Sequence, residues 1–419
     1  RYGIKPLYYS ISENSFCFGS EQKAIFSLPY FKRRLNEAAL IEYLTFQNIF
    51  TNQTLLKNIF VLEPGFYGIL DARKFTFGIT KYWDFDFRDP DIQVPDQEYV
   101  EELDRLFRQS VSRQLIGDVE IGAYLSGGID SGSIVAVASN EIDAIKTFTC
   151  GFDLSSASEL EMGFDERAIA ERASVFVNSD QYETVLNPWS IERSLPKLAH
   201  HLEEPRVGQS YPNYFAAHLA SKFVKVVLSG CGGDELFGGY PWRYFRGKTI
   251  ATFDDYIDNY YKYWKRLLDN RELIALCSPL QDKTDTVWTR DIFKSVFPDN
   301  CATPSAESEF INYSLHFEAK TFLHGLFLVE DKLSMAHGLE TRVPFMDNDL
   351  VDFAQKCPAR LKVGDLSRKR FESKYFSTEG KIIFRELSSR YLPAEIAQRR
   401  KQGFSSPDAS WFRFELESF

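Results

Sequence analysis

Leu125-Ser-Gly-Gly-Ile-Asp-Ser131 joins an apolar run, Val119-Glu-Ile-Gly-Ala-Tyr-Leu125, to a run of helical character, Gly132-Ser-Ile-Val-Ala-Val-Ala-Ser139. The order reads as strand, glycine turn, helix. Such a turn aims bare backbone N–H groups, two hydroxyls and the positive end of a helix at one point, which suits a pyrophosphate. Asp130 adds a carboxylate beside that anion, an arrangement that makes sense chiefly when Mg²⁺ bridges the two. The GxxxxGK[ST] phosphate loop occurs nowhere in the chain. A plain strand-to-helix turn with no ligand is the alternative.

The same grammar runs on from there. Strand candidates at 120–125, 147–151, 183–186 and 224–229 alternate with helix candidates at 131–139, 165–177, 190–202 and 213–222. Before them, residues 97–115 carry Val100, Leu103, Leu106, Phe107 and Val111 at the spacing of one buried helix face. This alternation predicts an α/β fold, a doubly wound parallel sheet wrapped by helices. Beyond about 250 the chain reads almost wholly helical, with Tyr256, Tyr260, Tyr261, Tyr263 and Trp264 crowded together. Residues 1–88 are β-rich instead: Leu7–Ile11, Ser15–Gly19 and Phe66–Leu70 are short aromatic or alternating runs, interrupted by a helix candidate over 37–46. Asp89-Pro-Asp-Ile-Gln-Val-Pro-Asp96 is the linker, so the expected domains are 1–88 and 97–419.

In an open parallel sheet, ligands sit beyond the carboxyl ends of the strands. Three loops should meet at that edge: Ser126–Ser131, Cys150–Asp153, and Ser229-Gly-Cys-Gly-Gly-Asp-Glu-Leu-Phe-Gly-Gly-Tyr240. The third has five glycines among twelve residues and an internal Asp234, which suits a second arm of a nucleotide–metal site.

A formal charge of −10 opposes binding to nucleic acid or an acidic membrane. No apolar run reaches the ~18 residues of a membrane span. The six cysteines are scattered, with no CxxC pair and no histidine at ligand spacing. They read as free thiols in a reducing cytoplasm rather than as a zinc site.

The SGGIDS segment resembles the pyrophosphate loop of enzymes that cleave ATP between its α and β phosphates and adenylate a substrate. Taken with Ser229–Tyr240, Asp331-Lys-Leu-Ser-Met-Ala-His-Gly-Leu-Glu-Thr-Arg-Val-Pro-Phe-Met-Asp347 and Arg399-Arg-Lys-Gln-Gly-Phe404, it is similar to the glutamine-hydrolysing asparagine synthetases of the B type. Arg1–Tyr9, Phe18–Ala24 and Leu62-Glu-Pro-Gly65 resemble the latter part of that family's glutaminase domain. The resemblance implies a partial N-terminal-nucleophile sandwich over 1–88, followed by an ATP-pyrophosphatase-like synthetase domain over 97–419. It also implies two half-reactions. A terminal cysteine releases ammonia from glutamine, and ammonia travels through a tunnel to displace AMP from an acyl-adenylate of aspartate. The chain opens after the position of that cysteine, and Cys17 does not match it. A fragment lacking the start of the glutaminase domain is expected, able to use free ammonia but not glutamine.

The resemblance assigns roles by position. Ser126, Gly127, Gly128, Asp130 and Ser131 match the pyrophosphate loop; Leu125, Cys150, Gly151, Ser229 and Gly230 match positions that bind adenosine. Leu125 would serve equally as core. Asp130 and Asp234 would hold Mg²⁺ with the β and γ phosphates, and Asp234 also suits capping a helix that opens at Glu235. Lys401 matches a lysine extended toward the α-phosphate, and Lys381 a second lysine near phosphate; for both, solvated surface is the alternative. Glu340 and Arg342 are expected as a buried pair framing the site, with Asp331 similar. Asp165 and Glu166 are expected to favour a helix dipole. ATP and Mg²⁺ are the implied cofactors, small molecules the implied partners, and a homodimer is left open.

Cys231 departs from the pattern. The family carries an acid there, facing the substrate's amine or acting as a base. A thiol is normally neutral and a weak acceptor, and a charge-assisted hydrogen bond is worth roughly 1.5–3 kcal/mol. Either another acid replaces it or the acceptor is a different carboxylate, such as a uronic acid, a peptide side chain or a lactam-forming substrate.

Overall fold

A computed structural model describes residues 1–419 apart from 30, 93, 160, 207–209, 245–249, 269, 281–288, 299–300, 365–379, 400–402, 404, 415 and 417–419. The chain forms two compact units, each discontinuous in sequence. One gathers 1–86, 202–208 and 245–332, and the other gathers 87–201, 209–244 and 333–419. Residues 245–332, which the sequence pattern groups with the later part of the chain, thus cluster with the first 86.

In the first unit, β1 (Tyr8–Ile11) lies between β2 (Phe16–Gly19) and β3 (Phe60–Val61), antiparallel to both. Tyr8, Ile25, Ile59 and Val61 form a core against this sheet. β4 (Phe66–Asp71) and β5 (Thr76–Lys81) make a separate antiparallel pair. The helix Glu37–Phe46 starts where expected, because Asn36 Oδ1 accepts from Ala39 N, and ends where Gln47 turns left-handed at φ 58°. Thr252 and Asp255 close a capping box on the helix Phe253–Trp264. Its Tyr256, Tyr260 and Trp264 recur at i, i+4 and i+8 and are buried. They meet an aromatic cluster that includes Phe293, Phe297 and Phe317. Each aromatic so buried contributes about 1.5–3 kcal/mol relative to exposure.

The second unit holds a fully parallel sheet. β6 (Ile121–Tyr124), β7 (Lys146–Phe152), β8 (Asp180–Leu186), β9 (Val226–Leu228) and β10 (Glu340–Arg342) stand in the order β10-β9-β6-β7-β8. From β6 the chain builds outward through β7 and β8, then returns to the other side of β6 with β9 and β10. Helices Ile129–Ala138, Arg167–Val177, Pro188–Leu202 and Ser210–Ala220 carry the crossovers. Phe148, Ala217, Ala220, Val224, Val227 and Leu339 form one core cluster. The helix Asp96–Gln114 buries the stripe read from its sequence, with Tyr99 and Ser110 added.

Three expectations change here. The strand predicted at 147–151 runs on to Phe152, so Cys150 and Gly151 lie in β7, in register with Thr184 and Val185, and not in a loop. Glu340 and Arg342 are not buried but stand in the short edge strand β10, their side chains 52% and 20% exposed. Arg342 binds Glu340 across 2.7 Å and donates to the carbonyls of Gln114 and Ile116, closing the end of the helix Asp96–Gln114. Asp331 belongs to the first unit, where it pairs with Lys5. Within the linker stretch, Asp89 Oδ1 accepts from Ala359 N. Among the described residues no helix is long and apolar enough to cross a membrane. All six cysteines are free thiols.

Candidate active site

The strand order reverses between β6 and β9, the point in an open α/β sheet beyond whose carboxyl ends ligands bind. The segments that follow these two strands are Leu125–Ser131 and Ser229–Tyr240. Topology alone therefore brings the two glycine loops side by side. Ser229 N donates to Arg342 O, extending the ladder one residue past β9 and fixing where its loop leaves the sheet.

The first loop closes on itself. Ser126 N donates to Ser131 Oγ at 3.1 Å, Gly128 N donates to Ser126 Oγ at 3.1 Å, and the two hydroxyls lie 3.1 Å apart. These are the donors a phosphate would use, gathered at the start of the helix Ile129–Ala138. Leu125 is spoken for: its N–H donates to Phe148 O, its carbonyl accepts from Thr149 Oγ1, and its side chain is core. Cys150 is buried, and burial pushes its thiol up to about 12, so it is neutral. Gly151 packs under Arg167, whose Cδ lies 2.4 Å from where a Cβ would stand.

In the second loop the helix Gly233–Phe237 begins after Gly232, and no side chain caps it. Asp234 is therefore inside the first turn and not a cap. Its carboxylate is directed elsewhere: Lys381 Nζ lies 2.5 Å from Asp234 Oδ1 and 2.5 Å from Asp130 Oδ2. The three side chains are 12%, 2% and 13% exposed in the order Asp234, Lys381, Asp130. The glycines make room for them. A Cβ on Gly239 would stand 1.8 Å from Asp234 Oδ1, and one on Gly233 would stand 2.7 Å from Asp130 Oδ1. Cys231 is half-buried beside them, its N–H donating to Ser229 Oγ at 3.3 Å.

Three residues not singled out from the sequence belong to this arrangement. Glu235 is fully buried next to Asp234, and burial, reinforced by the Asp234 charge, raises its carboxyl to about 7. Arg385 donates from the interior to the carbonyls of Gly380, Ala397 and Arg399, tying the Lys381 segment to the approach to Lys401. Burial pulls its guanidinium down from the usual range. Arg399 donates to Glu166 Oε1 at 2.6 Å and to Gly127 O at 3.2 Å. Glu166, at the N-cap of the helix Arg167–Val177 as its dipole favours, also holds Arg399 against the first loop, while Asp165 binds Arg167. The Gly-Gly-Asp-Glu run, with a second carboxyl after the first, and the motif that opens at Arg399 carried a signal for two of these in the sequence. Lys401 lies outside the described residues.

Two carboxylates drawn onto one cation suit a hard divalent ion sharing its remaining positions with phosphate and water. Among the described residues no group of three or more His, Cys, Asp or Glu forms a protein-only metal cage.

The family description "Asparagine synthase" matches residues 102–419, and "Glutamine amidotransferase domain" matches residues 1–83. The chain belongs to the asparagine synthase family. Across 449 residues it is 29% identical to "Asparagine synthetase [glutamine-hydrolyzing] 1" of Bacillus subtilis, covering 100% of this chain and 66% of that protein. It is also 29% identical over 454 residues to a "Putative asparagine synthetase [glutamine-hydrolyzing]" of Mycobacterium bovis, covering 98% and 65%. A more distant family relative is "Amidase chry2" of Gibberella zeae, 22% identical over 98% of this chain and 67% of that one. The chain spans less than two thirds of the length of the two synthetases it matches. Among solved structures, the NMN synthetase of Francisella tularensis matches with 18% identity over 35% of this chain and 59% of that one, at a TM-score of 0.21.

Proposed function

We propose that the protein is an ATP-dependent carbon–nitrogen ligase that adenylates the side-chain carboxylate of aspartate and lets ammonia displace AMP. The observation that carries this reading is the convergence of Asp130, Asp234 and Lys381 on one point beside a glycine-rich anion loop. A carboxylate is a poor electrophile. Attack of its oxygen on the α-phosphorus of ATP expels pyrophosphate and leaves a mixed anhydride; ammonia then adds to the carbonyl carbon, AMP departs, and a proton is lost. Where a complete glutaminase domain accompanies the ligase, glutamine would supply the ammonia.

The chain's own residues divide the work. Ser126, Gly128 and Ser131 bind the leaving pyrophosphate through hydroxyls and N–H groups. Ser229, Gly230, Cys150 and Gly151 flank the nucleoside end. Asp130 and Asp234 would hold Mg²⁺, which supplies charge neutralisation of the phosphates. Lys381 and Lys401 offset the charge that develops as pyrophosphate leaves. Glu166 and Arg385 keep Arg399, and with it the start of the Lys401 segment, against the loop. Free thiols suit work in the cytoplasm.

Cys231 supports a second reading, the same chemistry on a different carboxylate, because no acid stands there to meet an aspartate ammonium group. Kinship with a protein named as an amidase supports it too. Pyrophosphate release by the full-length gene product decides between them, measured with ATP, Mg²⁺ and ammonium in the presence and absence of aspartate. Aspartate-dependent release with asparagine formed establishes the first reading. Release that ignores aspartate but answers to another carboxylate establishes the second. No release from a folded protein under either condition removes both.

A further inference from the structure

We propose that Lys381 occupies the seat of the divalent cation in the nucleotide-free protein, so that metal and polyphosphate must bind together. The inference rests on reading Asp130 and Asp234 as the metal's ligands. Lys381 Nζ makes equal 2.5 Å contacts to one oxygen of each carboxylate, in a setting where its side chain is 2% exposed. Two acids brought this close and this far from water repel unless a cation lies between them. Mg²⁺ held between these two oxygens would stand about 2.0–2.1 Å from each. Ammonium and metal therefore exclude each other from that point.

The backbone fixes the lysine there. Lys381 has φ 59° and ψ 35°, a left-handed conformation uncommon outside glycine, at the residue that opens the helix Ile382–Ser388. Gly380 before it approaches Gly238 so closely that a Cβ would stand 2.3 Å from the Gly238 carbonyl oxygen. Arg385 in the following helix donates to Gly380 O at 3.0 Å. The perch is held by these contacts, but the stem above it has four rotatable carbons. When phosphate arrives, the ammonium has an anion to turn to, and the two carboxylates are left for the metal. A metal arriving alone must instead displace a tethered, ion-paired cation and leave it buried without a counter-ion.

The coupling is thermodynamic and so reciprocal, typically about 5–150-fold. It is read by titrating the protein with Mn²⁺ and following free Mn²⁺ by electron paramagnetic resonance, with and without inorganic pyrophosphate, each curve corrected by a protein-free titration for the Mn²⁺ that pyrophosphate itself chelates. In the unaltered protein, pyrophosphate should tighten Mn²⁺ binding at least about tenfold. Lys381→Asn keeps a residue that tolerates the left-handed conformation and removes the ammonium. It should bind Mn²⁺ alone at least about tenfold more tightly than the unaltered protein and lose most of the pyrophosphate enhancement. Mn²⁺ binding by Lys381→Asn no tighter than by the unaltered protein overturns the inference and leaves the metal site standing. Where that variant does not fold, equal Mn²⁺ affinity of the unaltered protein with and without pyrophosphate overturns it. Asp130→Asn is the control for the underlying reading: undiminished Mn²⁺ binding there removes the metal site, and the inference with it.

Discussion

The Tyr240 hydroxyl donates to Glu235 Oε1 across 3.1 Å, joining two buried side chains five residues apart in the loop Ser229–Tyr240. Burial and the neighbouring Asp234 raise the Glu235 carboxyl from 4.5 to about 7. The folded protein then binds a proton that the unfolded chain has already released between these values. Stability falls as pH rises through that window, by up to about 1.4 kcal/mol per unit. Glu235→Gln keeps an acceptor for Tyr240 and cannot ionise. In the absence of metal, its melting temperature should exceed that of the unaltered protein by a margin that widens from pH 5 to pH 8. A constant margin would show that Glu235 does not titrate in this range.

Gly239 and Gly78 offer a matched pair of substitutions. A Cβ on Gly239 would collide with the Asp234 carboxylate at 1.8 Å, whereas one on Gly78 meets nothing within 4 Å. Displacing a carboxylate proposed to hold the metal by about 1 Å would cost ~100-fold in rate. Gly239→Ala should lower pyrophosphate release by about that factor, while Gly78→Ala should leave it unchanged. Full activity in Gly239→Ala would mean that the seen position of Asp234 is not the working one.

Lys362 is fully buried, with its ammonium 5.0 Å from the Phe87 ring centre. Burial lowers it to about 8 from 10.5. Between these values the unfolded chain holds the proton that the folded protein has lost, so stability rises with pH from about 8 to 10.5. At pH 7 the buried charge is a net cost. Lys362→Met, of similar length, should raise the urea midpoint at pH 7 and abolish the alkaline rise. A lower midpoint at pH 7 would show that the ring and its surroundings more than offset the burial.

The strand–turn–helix from Ile121 to Ala138 was legible because its signals are local: an apolar strand, a glycine pair and a following apolar helix within eighteen residues. The edge strand Glu340–Arg342 was not. Three residues with a charge at each end carry no strand pattern of their own, and their extended state comes from the ladder with Val226–Leu228. The family resemblance marked Lys381 as a phosphate lysine, yet nothing local brings it onto Asp130, 251 residues away in sequence. The resemblance implies Glu340 and Arg342 as a buried pair framing the site. They do pair, but on an exposed edge where the arginine's other donors close a helix. Arg385 left no trace in the sequence because its acceptors are all main-chain carbonyls.

The first unit takes its chain from 1–86, 202–208 and 245–332, with the second unit's segments spliced between. During synthesis, the early strands leave the ribosome long before the aromatic helix Phe253–Trp264 that completes their unit. At ~5–20 residues per second, roughly ten seconds or more separate the two. The first unit therefore cannot finish before the second has largely been made, and a stop codon anywhere before residue 332 leaves both without part of their interior. Gene fusions and halves split at the linker near residue 89 would follow the order of the sequence and cut through the order of assembly.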